Sequence, residues 1–276
     1  MTDLLQLKKE IALYYKQHNI VEKSELDWLF CHVLECTKAE LFLKKQISGA
    51  QARKIKKYAK KRAQGMPLDK IIKQAYFYKL PFYVNNDVLT PRKETEHLIE
   101  AVIEQCKPKQ NLNILDLGTG SGIIAITLQK ELKNAKITAS DVSKKALKVA
   151  KYNAKRHGVS IHFVKSNLFD KLKRKQFDVI VSNPPYIKSS EITSLQNEVK
   201  NYDPMLALDG GFTGLNLYKK IIRCMPKSLK SGGLLCFEVG QGQAQVLKKM
   251  LSKQFENIQI IKDYNKIERV VIATKK

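Results

Sequence analysis

Asn183-Pro184-Pro185-Tyr186 follows directly on the apolar run Phe177–Ser182. An asparagine at the tip of a strand offers a side-chain carbonyl that can accept a hydrogen bond from an –NH2 group. The prolines behind it add a main-chain carbonyl but no N–H, and their fixed φ holds that carbonyl in place. Two acceptors aimed at one nitrogen suit a planar amine or amide whose lone pair is otherwise delocalised. Tyr186 offers a flat apolar face to the same planar group. Asn183, Pro184, Pro185 and Tyr186 are therefore the candidate catalytic residues. The same four letters also fit an ordinary strand with a Pro-Pro turn, so the chemistry needs a second motif.

That second motif is Ile114-Leu115-Asp116-Leu117-Gly118-Thr119-Gly120-Ser121-Gly122, a strand running into a glycine-rich turn and then a helix. Glycines there let the backbone turn tightly and let a ligand approach main-chain atoms. Asp141 closes the next strand, about twenty residues on, where a carboxylate can accept both ribose hydroxyls of a nucleoside cofactor. The spacing is G-x-G-x-G, not the G-x-G-x-x-G of nicotinamide enzymes. Asp116, at the strand end, suits an amino-acid moiety with an ammonium group better than a pyrophosphate. S-adenosylmethionine is thus the expected cofactor, held by Asp116, Gly118, Thr119, Gly120, Ser121, Gly122 and Asp141, with Asn183 beside it.

The elements that must position these residues alternate. Apolar strands fit 113–117, 136–140, 160–164, 177–182, 233–239, 258–261 and 269–273, with helices at about 121–132, 143–157, 215–229 and 243–251. Such alternation predicts an α/β fold with a mostly parallel sheet covered on both faces. The last two strands follow too closely for a crossover helix, which predicts an antiparallel edge.

The first seventy-four residues have a different texture. Ser24, Thr37 and Ser48 each stand three residues before Asp27, Glu40 and Gln51, the spacing of a capping box. Leu4, Leu7, Ile11 and Tyr14, then Leu26, Leu29, Phe30 and Val33, recur at helical spacing, which predicts a small helical bundle over 1–74. Residues 75–92, aromatic and β-branched around Leu80-Pro81, predict a hairpin connector to a catalytic domain over 93–276. Pro91 precedes a helix whose Glu94 and Glu96 are expected to complement the helix dipole. Phe212 and Tyr218 are expected in the core, and Glu238 as a buried polar group satisfied by neighbouring backbone.

Bulk properties set bounds. With 276 residues and 43% hydrophobic content, the chain can bury a sizeable core. The five cysteines form no C-x-x-C pair, so buried reduced thiols with no disulfide and no zinc are expected. The five histidines follow no ligand spacing, no metal is expected, and no Ser-His-Asp or Cys-His arrangement stands out. The net charge of +24 comes mainly from lysines spread along the whole chain. Arginine is the preferred residue for phosphate and base contacts, so this lysine excess favours an acidic partner only weakly, and with no second large basic domain to read DNA no stable nucleic-acid partner is expected. The densest basic run, 53–62, carries Ile55, Tyr58 and Ala59 at helical spacing and reads as a solvated helix face. No apolar stretch reaches the ~18–20 residues needed to cross a bilayer. A cytoplasmic monomer without membrane contact is expected.

The chain resembles the release-factor glutamine methyltransferases, the HemK or PrmC family of Rossmann-like methyltransferases. The resemblance runs beyond the two motifs. It includes Pro67-Leu68, Pro91-Arg92-x-Glu94-Thr95-Glu96, Asp203-Pro204, Ala207-Leu208-Asp209-Gly210-Gly211, Gly214-Leu215 and Glu238-Val239-Gly240-Gln241-Gly242-Gln243. It implies a seven-stranded methyltransferase sheet behind a helical bundle that recognises the substrate protein. It also implies methyl transfer from S-adenosylmethionine to the glutamine side-chain nitrogen in the Gly-Gly-Gln loop of peptide chain release factors, tuning translation termination. Asn167 and Leu168 fall in the stretch that resembles the family's adenine-binding lip. They depart from its usual Asp and aromatic residue. Lys73 and Lys79 stand where the family has Gly, Thr90 where it has Ile, and Lys93 where it has Pro. The alternative is a nucleic-acid amino methyltransferase, since an exocyclic base amine presents the same planar –NH2 once flipped from its stack.

Overall fold

The structure is a computed structural model that describes residues 1–20, 23–107, 109–172 and 175–276. Its contacts group Met1–Gln74 with Asn197–Tyr202 as one unit, and Ala75–Gln196 with Asp203–Lys276 as a second. The connector 75–92 thus belongs with the second unit and forms no body of its own.

The first unit holds α1 (Leu4–Gln17), α2 (Lys23–Leu34), α3 (Lys38–Leu43), α4 (Gly49–Ala63) and α5 (Leu68–Ile72). A two-residue strand β1 (Thr2–Asp3) pairs with β2 (Gln46–Ile47). Thr37 with Glu40 and Ser48 with Gln51 form reciprocal capping boxes. Ser24 lies inside α2 and is no cap. Leu4, Leu7 and Ile11 pack with Leu29, Phe30, Ile55 and Ala59. The fourth inward residue of α1 is Tyr15, and Tyr14 is half-buried, because four residues after Ile11 continues the inward stripe. In α4 the basic residues cover the outer face, with one exception. Arg62 is buried and pairs with Glu25 and Glu198, at 2.7 Å each.

The second unit opens at Ala75 within β3 (Gln74–Phe77), which forms a hairpin with β4 (Leu80–Tyr83) and is followed by α6 (Glu94–Cys106). Then come β5 (Asn113–Leu117), α7 (Ile123–Glu131), β6 (Lys136–Asp141), α8 (Lys144–Arg156), β7 (His162–Lys165) and β8 (Phe177–Ser182). The short α9 (Asn197–Tyr202) groups with the first unit, and α10 (Asn216–Cys224), β9 (Leu229–Glu238), α11 (Ala244–Leu251), β10 (Phe255–Lys262) and β11 (Glu268–Lys275) complete the chain. The sheet has seven strands in the order β10-β11-β9-β8-β5-β6-β7. Only the pairings of β11 with β9 and β10 are antiparallel, as the short last connection predicts.

Alternation along β5 shows how the sheet divides its core. Ile114 packs with residues of α6 and α7, while Leu115 and Leu117 pack with residues of α10 and α11. The predicted helix 215–229 ends at Cys224 because Pro226 cannot continue it, and β9 begins at Leu229, four residues before the expected Gly233. Tyr218 is fully buried, its hydroxyl donating to the Glu238 carbonyl. Phe212 is not core: it is 86% exposed, on the loop between Gly211 and Thr213. Cys224 is likewise exposed, not buried. Among the described residues no helix is long and apolar enough to cross a membrane.

Candidate active site

From β5 the chain moves outward through β6 and β7, then returns to the other side of β5 as β8. The order of the strands therefore reverses between β5 and β8, where open α/β sheets leave a crevice at their carboxyl ends. Ser182 Oγ donates to the Leu117 carbonyl at 2.6 Å and ties the two strand ends together. A cleft of about 780 Å³ opens there, a size that suits a nucleoside-sized ligand. Gly118, Thr119, Gly120, Ser121, Asp141, Asn167, Leu168, Asn183, Pro184 and Pro185 all line it.

The β5 side is shaped by backbone. Gly118 and Gly120 hold φ of 80° and 54°, and an added Cβ at either would meet nothing within 4 Å. Open space over main-chain atoms is what a closely approaching ligand requires. Asp141 accepts from Gly120 N at 2.9 Å and Ser143 N at 2.8 Å, and each carboxylate oxygen keeps a further lone pair for a ligand hydroxyl. Burial raises its pKa, against the lowering effect of those N–H donors. Ser166 Oγ donates to the Leu168 carbonyl and accepts from Lys171 N, which fixes the turn carrying Asn167 and Leu168.

Two residues expected at the cofactor stand outside the lining of the cleft. Gly122 does not line the cleft; a Cβ there would stand 3.1 Å from Ala150 and Ile126, so it serves the close packing of α7 on α8. Asp116 also lies outside the cleft wall, fully buried beneath the turn, where its Oδ2 accepts from Thr119 Oγ1 and Ala125 N. Its Oδ1 has no partner among the described residues, and burial pushes its pKa up to about 7.

The β8 side is shaped by side chains from distant segments. Asn183 Nδ2 donates to Thr95 Oγ1 at 3.3 Å, while its Oδ1 has no partner among the described residues. Gln243 Nε2 donates to the Tyr186 carbonyl at 2.9 Å, and its Oε1 accepts from Gly240 N at 3.0 Å. A Cβ on Gly210 would stand 2.8 Å from Tyr186 Cα, so only glycine lets that loop lie against the Asn183 turn. Asp203 accepts from Thr90 N, Thr90 Oγ1 and Arg92 Nη2, fastening the cleft-lining stretch 87–92 to the loop beyond β8. Tyr186 is not part of the cleft wall. Its ring packs into the core, and its hydroxyl points at Glu238 Oε1 at 3.4 Å. Glu96 accepts from Tyr78 N at 2.7 Å and so secures the hairpin.

Sequence spacing missed Thr95, Glu238 and Gln243 as parts of the site. The signal was present for Glu238, a carboxylate closing an otherwise apolar strand. It is fully buried, and not satisfied by neighbouring backbone: the Tyr186 hydroxyl donates to Oε1 at 3.4 Å, Thr95 stands beside the carboxyl, and Oε2 has no partner among the described residues. Among those residues, no group of three or more His, Cys, Asp or Glu stands together as a metal site would.

A family model described as methyltransferase small domain matches residues 93–211, and one described as PrmC N-terminal domain matches residues 11–72. A release factor glutamine methyltransferase from Thermodesulfovibrio yellowstonii is 41% identical over 93% of this chain and 93% of its own length. One from Chlorobaculum tepidum is 37% identical over 95% of this chain and 94% of its own. Among solved structures, a methyltransferase from Pyrococcus furiosus covers 72% of this chain and 90% of its own, with TM-score 0.54 and 18% identity. That likeness concerns the fold alone.

Proposed function

Because the chain belongs to the release factor glutamine methyltransferase family, we propose that it methylates the side-chain amide nitrogen of the glutamine in the Gly-Gly-Gln loop of a peptide chain release factor. The family uses S-adenosylmethionine, which when bound supplies an electrophilic methyl group on a sulfonium. Gly118, Thr119, Gly120, Ser121, Asp141, Asn167 and Leu168 are the residues that would hold it, and Asp116 holds the glycine turn from beneath.

The observation that carries the reading is the free acceptor at the cleft wall. With its amide nitrogen engaged by Thr95, Asn183 presents Oδ1, and the Pro184 carbonyl stands one residue on with no N–H competing beside it. An amide nitrogen is a poor nucleophile because its lone pair is shared with its carbonyl. Two fixed acceptors on its N–H groups stabilise the positive charge that grows on nitrogen as it alkylates, an electrostatic contribution of ~3 kcal/mol in comparable sites. Holding the nucleophile in line supplies up to ~7–11 kcal/mol more. No strong base is needed beforehand, since the alkylated amide is acidic enough to lose its proton to water. Tyr186 acts from behind the wall by anchoring the turn.

The test is incubation with methyl-labelled S-adenosylmethionine and a release factor, beside a copy whose loop glutamine is replaced. Label on the first protein and none on the second is expected. Label on both, or only on added DNA or ribosomal RNA, contradicts the proposal.

A further inference from the structure

Thr95 sits in the first turn of α6, 1% exposed, where its hydroxyl has a neighbour on either side. One is the Asn183 amide, which donates to it at 3.3 Å. The other is the carboxyl of Glu238 at the end of β9, near enough to interact with the same hydroxyl. A hydroxyl has one proton to give and lone pairs to receive with. If Glu238 takes the proton, only lone pairs remain for Asn183, and these welcome an N–H and repel a carbonyl.

We propose that Thr95 is a positioning residue that fixes the flip of Asn183, and that Glu238 is the buried acceptor that commits the Thr95 hydroxyl to this role. The inference rests on the reading of Asn183 Oδ1 as a substrate acceptor. An asparagine amide is nearly symmetric in shape, so packing alone does not tell its oxygen from its nitrogen. With the hydroxyl proton turned to Glu238, the flip that buries Oδ1 against Thr95 sets lone pair against lone pair. The other flip presents Oδ1 away from Thr95, as an acceptor for the substrate.

The placement of Glu238 fits a dedicated partner. It is fully buried, Tyr186 Oη donates to its Oε1, and Oε2 has no partner among the described residues. Burial pushes its pKa up to about 7, while Thr95, Arg269 and Tyr186 lower it and Glu94 raises it further. Whether or not it holds its own proton, a carboxyl with a spare oxygen keeps a lone pair to accept from the one hydroxyl it shares with the site.

The experiment is single-turnover methyl transfer by the full chain with saturating cofactor and protein substrate, alongside calorimetric cofactor affinity. Thr95→Val, close in volume but without a hydroxyl, is expected to slow transfer at least tenfold, with cofactor affinity and the KM for protein substrate changed less than threefold. Thr95→Ser restores the rate to within threefold of the parent. Thr95→Val added to Asn183→Ala changes the rate by less than threefold, because the residue acts through Asn183. Should Thr95→Val fold poorly with Glu238 left unpaired, the double variant Thr95→Val with Glu238→Leu removes the buried carboxyl as well and is expected to stay at least tenfold slow. A native rate in either valine variant, with Asn183→Ala slow, overturns the positioning role alone. A further tenfold loss on the Asn183→Ala background does the same. A native rate in Asn183→Ala overturns the acceptor reading and this inference with it.

Discussion

The ends of β5 and β8 leave the sheet side by side, yet they are shaped by opposite means. The β5 turn has a compact signature: glycines with positive φ, and a carboxylate two residues before the first of them, lie within nine residues of chain, and only the end of the next strand, at Asp141, reaches in from outside. The β8 turn is assembled from afar, by Thr95, Gly210, Glu238 and Gln243. A cradle for a ligand backbone can be written into one stretch of sequence. An oriented acceptor needs neighbours that fix which atom it presents.

Substitutions sharpen that contrast. The largest effect is expected at Gly210, where alanine would place a Cβ 2.8 Å from Tyr186 Cα and from the Gly214 carbonyl. Forcing such contacts apart costs ~1–3 kcal/mol of stability. Because the displaced backbone carries the Asn183 turn, methyl-transfer kcat/KM should fall more than about tenfold, which is ~1.4 kcal/mol of transition-state stabilisation. Gly120→Ala is the counterpart on the β5 side. Its Cβ meets no atom within 4 Å, so the cost is the φ of +54° alone, ~1–2 kcal/mol. Cofactor affinity measured by calorimetry should weaken, while turnover at saturating cofactor stays within about threefold because uniform binding is what is lost.

The next prediction concerns pH. Glu238 has its pKa raised by burial from the usual 4.5 to about 7, so the folded state holds a proton that the unfolded chain has released. Stability from this group is full below about pH 4.5 and is lost as pH rises through about 7. Asp116, raised in the same way, acts in the same direction. Glu238→Gln should therefore flatten the fall of Tm between pH 5 and pH 8, gaining on the order of 1–2 kcal/mol at the upper end. An unchanged slope would show that Glu238 titrates as it does in the unfolded chain.

The smallest effect is at the hairpin. Tyr78 and Lys79 between β3 and β4 take φ of 49° and 61°, the left-handed pair that a two-residue hairpin turn demands. Lys79→Gly should raise stability by about 1 kcal/mol, seen as a Tm increase of ~2–4 °C.

What the sequence made legible follows the same division. Asn113–Leu117 and Phe177–Ser182 came out with their boundaries intact because both are apolar runs closed by an unmistakable turn. The glycine turn and Asp141 were readable because glycine spacing and a carboxylate closing the next strand are marked in the chain itself, although Asp141 reaches back to Gly120. Thr95 was visible only as part of a helix start, since nothing in its own surroundings says that Asn183, eighty-eight positions on, lies against it. Phe212 misled for a related reason: an aromatic residue signals burial only when its segment has a periodicity, and the loop between Gly210 and Gly214 has none. The sequence offers Tyr186 as a flat apolar face, but nothing near it announces the glutamate fifty-two residues later that its hydroxyl meets.

The central claim is that Asn183 Oδ1 accepts from the nitrogen being methylated. Single-turnover transfer to the loop glutamine of a release factor, measured for Asn183→Ala with cofactor affinity determined on the same protein, tests it most directly. A rate reduced more than about tenfold, ~1.4 kcal/mol, with cofactor affinity within about threefold of the parent, is the predicted result. Transfer at the parent's rate would contradict it.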